Sequence, residues 1–538
     1  MTRVGIFGWG IVAPRSRNIP TFARNLEEAT SWLAPFNGFG RDNFLVGTPA
    51  FRLEDYRPWI EERFPPNRFH QLESKMDTNT LYAIGAFIQA LEQNPGMEAE
   101  LQGLGSEAQV HVATGMGPIP MLYGASLDYH YAQDRWNAFW VQRERNPALT
   151  AWQDHGQEPE ALEGVSGAEG PMPPDPATVP DHDRPLAQVR WNAWWAPRSP
   201  DLQVYLQHLA DIDALAVESG AVQSAKLNIL REKQRRRTRL QKEWGAPDPP
   251  WEAVTANVLW NIGNTPAAQI SMMGKITGLS YGPAAACSTF SVALKSGMDT
   301  IRRGEAKAVV IGACDSAPHP MVVGTFYNAR VMVADGDVSM PLSGLKGTHA
   351  SGGACIWIVG DHDYFTARGY KPVGMEPLSV GVSSDADHII TPSREGPTES
   401  ILQALRGAGV EASDVGGWDL HATGTPGDHT EIETLRGVIP ETVLVTARKG
   451  TFGHGMAVAG GWELTAQYLG YERGTVFPTP LTQGELNPEI ARLHGRFVFD
   501  TGCEAPGGMA GKLSMGVGGV NACVISRPYG REPEGGSG

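Results

Sequence analysis

Residues 282–304 read GPAAACSTFSVALKSGMDTIRRG, and the rest of the chain is ordered around them. Phe290, Val292, Ala293, Leu294, Met298 and Ile301 recur at helical spacing, so a helix is expected from Ser288. Cys287 then stands at a helix N-terminus, where free backbone N–H groups and the macrodipole favour a thiolate. Such a site lowers a cysteine pKa and makes the sulfur a nucleophile. A small thiol packed under a helix has the same local pattern, and this stretch alone does not choose between the two.

Two later stretches add chemistry. DLHATGTPGDHTEIETL (Asp419 to Leu435) and ARKGTFGHGMAVAGGWEL (Ala447 to Leu464) each set a histidine in a Gly- and Thr-rich loop before a helical pattern. A cysteine on a helix start with two loop histidines is a constellation suited to acyl transfer. No H-E-x-x-H, cysteine cluster or G-x-S-x-G is present, so no metal site or serine-hydrolase elbow is expected. PGGMAGKL, around Gly511 and Lys512, lacks the glycine spacing and terminal Ser/Thr of a phosphate-binding loop.

These motifs resemble the β-ketoacyl synthases of fatty-acid and polyketide assembly, within the thiolase superfamily. GIFGWGIVAP is similar to the family's opening strand and turn, AACST to its nucleophile motif and HATGT with Gly427, Asp428 and Glu431 to its first histidine motif. Lys449 with GTFGH resembles its Lys-x-x-x-Gly-His motif, and SMGVGGVNA its C-terminal glycine loop. Five matches in the family's order carry more weight than any one. The resemblance implies an α/β fold, a five-layered αβαβα sandwich of two similar halves. It implies no cofactor, because substrates ride on the phosphopantetheine arm of an acyl carrier protein.

The resemblance also implies roles. Cys287, His421 and His454 fall on the family's Cys-His-His set, which marks an elongating synthase; in the other branch asparagine replaces the second histidine. Lys449 would hold the histidine loop and pair with a carboxylate such as Glu431, with Asp428 and Glu431 behind the histidines. Thr423 and Thr425 match positions that bind the pantetheine arm. The backbone N–H groups of Cys287 and of the final loop, at Val517, would form the oxyanion hole. There are departures. Val517 replaces the phenylalanine that gates the family's acyl pocket, one residue is missing between Thr425 and Asp428, and Phe290 stands where a small residue is usual. Phe290 and Val517 are therefore expected to shape the acyl pocket.

Composition fits this reading. The 538 residues are 41% apolar, carry a net charge of −15 and include five cysteines without a C-x-x-C pair. The charge argues against general nucleic-acid binding, and the cysteines fit a reducing cytoplasm. No apolar run reaches the roughly 18 to 20 residues of a membrane span. MTRVGIFGWGIVAP carries three glycines in a short apolar run and is expected to be a first strand, not a signal peptide.

Along the chain, segments 1–120 and 254–365 are expected to form the first thiolase-like half, 366–530 the second, and 531–538 a flexible tail. Between them, 121–253 breaks the pattern. It holds eight of the fifteen tryptophans, a Pro- and Gly-rich loop from Gly164 to Pro185, and helices over Leu202–Leu215 and Ala221–Trp244. This region is expected to be a large insertion. Within it REKQRRRTRLQK (Arg231 to Lys242) has seven basic residues and one acidic. Arg231, Arg235, Arg236, Arg237 and Arg239 could dock an acidic carrier protein, or could simply be a solvated face.

The expected reaction is condensation of a Cys287-bound acyl group with malonyl carrier, in a homodimer as in the family. The alternatives are a synthase-fold decarboxylase or acyltransferase, and a non-catalytic partner subunit. The intact Cys287, His421 and His454 speak against the last.

Overall fold

The computed structural model describes residues 2–529 except 41, 160–161, 163–169, 216–222, 390–392 and 494. The expected tail at 531–538, and residues 164–169 of the expected loop, lie outside the described residues. The chain forms two compact units, one of residues 1–120 and 259–538 and one of 121–258.

The larger unit is built on two sheets. The first takes β1 (Val4–Val12), β2 (Ala108–Ala113), β3 (Ser280–Tyr281), β4 (Ala308–Asp315) and β5 (Gly353–Asp361) in the order β1-β5-β4-β2-β3. The second takes β6 (Met375–Ser384), β7 (Val415–Asp419), β8 (Leu444–Thr446), β9 (Arg496–Phe497), β10 (Met509–Gly516) and β11 (Val520–Pro528) in the order β6-β11-β10-β7-β8-β9. Without the edge strand β9, the two orders and the sense of every pairing are the same. The β2/β3 and β2/β4 pairs are parallel, as are β7/β8 and β7/β10. The β1/β5 and β4/β5 pairs are antiparallel, as are β6/β11 and β10/β11. The two halves are thus alike in topology, a duplication that internal sequence similarity did not reveal.

Three apolar clusters show the layering. Helices Thr78–Glu92 and Thr265–Gly274 pack on the outer face of the first sheet through Phe87, Ile270 and Val310. Helices Thr289–Arg302 and Ala459–Arg473 lie between the sheets, where Leu294 and Leu464 share a core with Ile311 and Val524. Helices Glu395–Ala408 and Gly427–Arg436 cover the outer face of the second sheet through Ile401 and Ile432. This is the αβαβα sandwich of a thiolase-like fold. The central strands β4 and β5 are almost wholly buried, which explains their unbroken apolar runs.

The smaller unit is helical. Trp136, Trp140, Tyr205, Leu209 and Leu240 make one core and Leu149, Trp191, Trp194 and Trp195 another, so most of its tryptophans are structural. Asn146 caps one helix and its amide donates to the Trp195 carbonyl at 2.8 Å, binding the WNAWW segment to the turn after WNAFW. No described helix in either unit is long and apolar enough to cross a membrane.

Candidate active site

The two central helices begin in the same way. Each follows a single 3-10 turn, Ala286–Ser288 before one and Met456–Val458 before the other. Each turn opens on a residue in the left-handed region, Ala286 at φ 47° and Met456 at φ 52°. Two such residues in equivalent turns of the two halves mark a strained, shared geometry. Cys287 lies in the first turn, and the helix proper starts one residue later than expected, at Thr289. His454 stands just before the second turn. The fold therefore aims the N-termini of both central helices at one place.

Cys287 is buried, and the backbone N–H groups of Val517 and of Cys287 itself are near enough to its sulfur to favour the thiolate. Gly516 makes this possible. A Cβ there would sit 2.8 Å from the Ala285 carbonyl oxygen and 3.4 Å from the Cys287 nitrogen. The expected fall in the thiol pKa does not occur. Burial pushes it up to about 11, and the nearby Lys449 offsets this only in part.

His421 follows β7 and is held by its backbone. Its N–H donates to Glu431 Oε1 at 2.6 Å and the Ala422 N–H to Glu431 Oε2 at 2.7 Å. Asp428 does the same for the next turn, accepting from Thr423 at 2.8 Å, Gly424 at 3.0 Å and Leu342 at 2.9 Å. Glu431 is thus a backbone clamp, and the expected Lys449–Glu431 pair is not formed. Lys449 pairs instead with Glu463, its Nζ 2.6 Å from Oε1, both side chains fully buried. Both Glu431 oxygens already accept backbone N–H groups of the loop after β7, whereas Glu463 stands on the helix that follows Lys449.

The same Nζ donates to the His421 carbonyl and lies 3.4 Å from His421 Nδ1. An ammonium has only donors, so His421 Nδ1 must accept and the ring proton sits on Nε2. His454 reaches the same tautomer by another route: its Nδ1 accepts the Met456 N–H at 3.1 Å. The rings are 5.4 Å apart at 82°. Burial first and the Lys449 charge next hold both well below the usual imidazole pKa, so both are neutral.

Cys287, His421, His454, Thr423, Thr425 and Val517 line a single cavity of about 260 Å³. Its apolar wall comes from Phe326, Ala329, Val331 and Met515. Phe290, expected in this wall, is absent from it. Its ring is fully buried in the core, 4.9 Å from and nearly perpendicular to Trp357. It fits because Gly461 lacks a side chain: a Cβ there would come within 2.6 Å of the Phe290 ring. Among the described residues no group of three or more His, Cys, Asp or Glu is placed to hold a metal.

Sequence reading missed Glu463, Lys512 and Asp315. Glu463 had a signal, a lone acid within the apolar run AVAGGWELTAQYL. Asp315 ends β4 and accepts from the Thr114 hydroxyl and from the Gly115, Met116 and Ala457 N–H groups, at 2.8 to 3.0 Å. It ties the loop after β2 to the turn after His454. The Phe326 wall had no signal, since it lies some forty residues from Cys287 in sequence.

The chain matches two family profiles, Beta-ketoacyl synthase, N-terminal domain over residues 231–358 and Beta-ketoacyl synthase, C-terminal domain over residues 376–482. Cys287 falls within the first and both histidines within the second. Among curated relatives, Nodulation protein E of Rhizobium meliloti is 31% identical over 218 residues, 40% of this chain and 54% of the relative. The chloroplastic 3-oxoacyl-[acyl-carrier-protein] synthase I of Hordeum vulgare is 28% identical over 286 residues, 50% of this chain and 59% of the relative. The chain thus spans about half the length of the curated relatives it matches. Among solved structures, the ishigamide ketosynthase/chain length factor superposes with a TM-score of 0.66 at 19% identity, covering 98% of this chain and all of that one. A type II polyketide acyl-carrier protein in complex with its ketosynthase gives 0.64 at 16%, covering 98% of this chain and 100% of the matched one. At such identities the structural likeness is one of fold.

Proposed function

We propose that this chain, a member of the β-ketoacyl synthase family of the thiolase superfamily, condenses a Cys287-bound acyl group with a malonyl thioester carried on an acyl carrier protein. The observation that carries this reading is one cavity lined by a thiol and two neutral imidazoles, each imidazole with Nδ1 occupied and Nε2–H free to donate.

In the first step the Cys287 sulfur attacks the incoming acyl thioester. The tetrahedral oxyanion is met by the N–H groups of Cys287 and Val517, and the carrier sulfur leaves with the thiol proton. In the second step the malonyl group loses carbon dioxide, and the electron pair becomes an enolate whose oxygen takes hydrogen bonds from His421 and His454. No strong base is needed. The enolate carbon then attacks the Cys287 thioester, the β-ketoacyl carrier departs and Cys287 recovers a proton. Preorganised donors of this kind lower such a barrier by roughly 3 to 4 kcal/mol each. Lys449 and Glu463 fix the tautomer of His421, while Glu431 and Asp428 fix its loop.

The partner of this reaction is an acidic carrier protein. The basic helix Gln223–Trp244 supports a docking site for it, in which four cations are the least engaged within the chain. Arg237 is taken by Asp213 and Glu252, and Arg236 by Glu232. Arg231, Arg235, Arg239 and Lys242 have no carboxylate within ion-pair distance among the described residues, and at spacings of four, four and three they form one exposed stripe. A homodimer, as in the family, would give about twice the 58.0 kDa mass of the chain in light scattering.

Intact-protein mass spectrometry after exposure to a panel of acyl-carrier thioesters tests the reading. An acyl adduct on the wild type and none on Cys287→Ala is expected, with β-ketoacyl product on adding malonyl carrier. Condensation by Cys287→Ala would overturn it.

A further inference from the structure

Lys512 stands in β10, five residues before Val517, and belongs to none of the motifs that mark the site. Its side chain is fully buried. Nζ lies 2.8 Å from Glu463 Oε2 and donates to the Leu420 carbonyl at 3.3 Å and to the Leu513 carbonyl. Two hydrogen bonds and one ion pair thus surround the Lys512 Nζ. Lys449 has the matching set on the other side: Glu463 Oε1, the His421 carbonyl and His421 Nδ1. One buried carboxylate is therefore gripped at each oxygen by a different lysine. The two lysines also hold the carbonyls of two successive residues, Leu420 and His421.

Other charges face this cluster. Asp419 comes from β7, paired at 2.7 Å with Arg448, and Glu431 comes from the helix Gly427–Arg436. Cys523 faces Lys512 from β11. Lys449, Lys512 and Arg448 face Glu463, Asp419, Glu431 and Asp428, and burial raises the last three carboxyls, Asp419 to about 6 and Glu431 to about 7. Without Lys512 the carboxylates would be in excess in a dry interior, and an uncompensated buried charge draws a proton. Asp419 and Glu431 are the first to take it, but losing the Lys512 cation also removes a charge that disfavours protonation of the His421 ring. Glu463 would also lose the contact that fixes Oε2, and with it the geometry that turns Oε1 and Lys449 Nζ toward His421 Nδ1.

We propose that Lys512 is a positioning residue for the condensation: by sharing Glu463 with Lys449, it keeps His421 and His454 as neutral Nε2–H donors. This rests on the reading of those rings as enolate donors. The Lys512 charge lowers the pKa of both rings, after burial and Lys449, which agrees with the geometry.

The test is NMR of the histidine rings as a function of pH, in wild type and Lys512→Met, with His421 and His454 assigned through their single variants. The wild-type rings should stay neutral through the mildly acidic range. In Lys512→Met the His421 midpoint should rise by about one pH unit, and the acid limb of kcat should move up with it. Lys512→Met/Glu463→Gln, which removes cation and carboxylate together, should return the midpoint toward wild type. Unchanged ring titration, or activity lost equally at every pH, would make Lys512 a packing residue and overturn the proposal. Should Lys512→Met fold poorly, Lys512→Gln serves in the same measurement. The ring titration does not require turnover, so a wild type that condenses nothing would sink the proposed reaction and leave the role of Lys512 still decided.

Discussion

At Cys287 two effects compete, and their sizes decide the outcome. A helix N-terminus stabilises a thiolate by a fraction of a charge, whereas full burial raises the cost of any charge by several pKa units. Burial wins, and the thiol sits near 11. Alkylation by iodoacetamide should therefore climb about tenfold per pH unit between pH 7 and 9 without levelling. A plateau near neutrality would show a depressed pKa and contradict this account. His421→Ala or His454→Ala should lower the condensation rate about a hundredfold or more, while acylation of Cys287, which uses the backbone N–H pair, persists. Rate assays beside mass spectrometry of the acyl adduct separate the two steps. Loss of acylation in both variants would mean that the histidines act on the thiol itself.

At the scale of the element, the nucleophile helix and the histidine helix are counterparts in two similar halves, and their equivalent strained turns bring Cys287 and His454 together. Phe290 shows how an element reassigns a residue. Its ring packs against Trp357 in the gap left by Gly461 and so does not line the cavity. The basic helix makes a similar point, because ion pairs remove Arg236 and Arg237 from the free stripe. Reversing Arg231, Arg235, Arg239 and Lys242 to Glu should weaken carrier binding at least tenfold at low salt and abolish its salt dependence. Binding isotherms at two ionic strengths would check this. Equal affinity before and after would make the stripe a solvated face.

At the scale of the whole molecule, the chain leaves one compact unit after residue 120, builds a second with its own tryptophan cores, and returns at 259. Eight of the fifteen tryptophans lie in the second unit. Two cores that share no cluster are expected to unfold in two steps. Tryptophan fluorescence in urea, with eight tryptophans in the smaller unit and seven in the larger, should show two transitions. A single transition would show one cooperative unit instead.

The sequence by itself determined the chemistry and its order along the chain. Cys287, His421, Lys449 and His454 stand in short motifs whose glycines and threonines are dictated by local backbone geometry, and local geometry is legible in sequence. The interruption at residue 121 was legible too, as a change in composition. Three things were decided only by tertiary structure. The choice of Glu463 over Glu431 as the partner of Lys449 depends on which helix faces the lysine. The place of Phe290 depends on a missing side chain 171 positions away. The balance that leaves the thiol protonated and both imidazoles neutral depends on burial and on the charges of Lys449 and Lys512. Each is a sum over neighbours distant in sequence, and neither spacing nor periodicity encodes it.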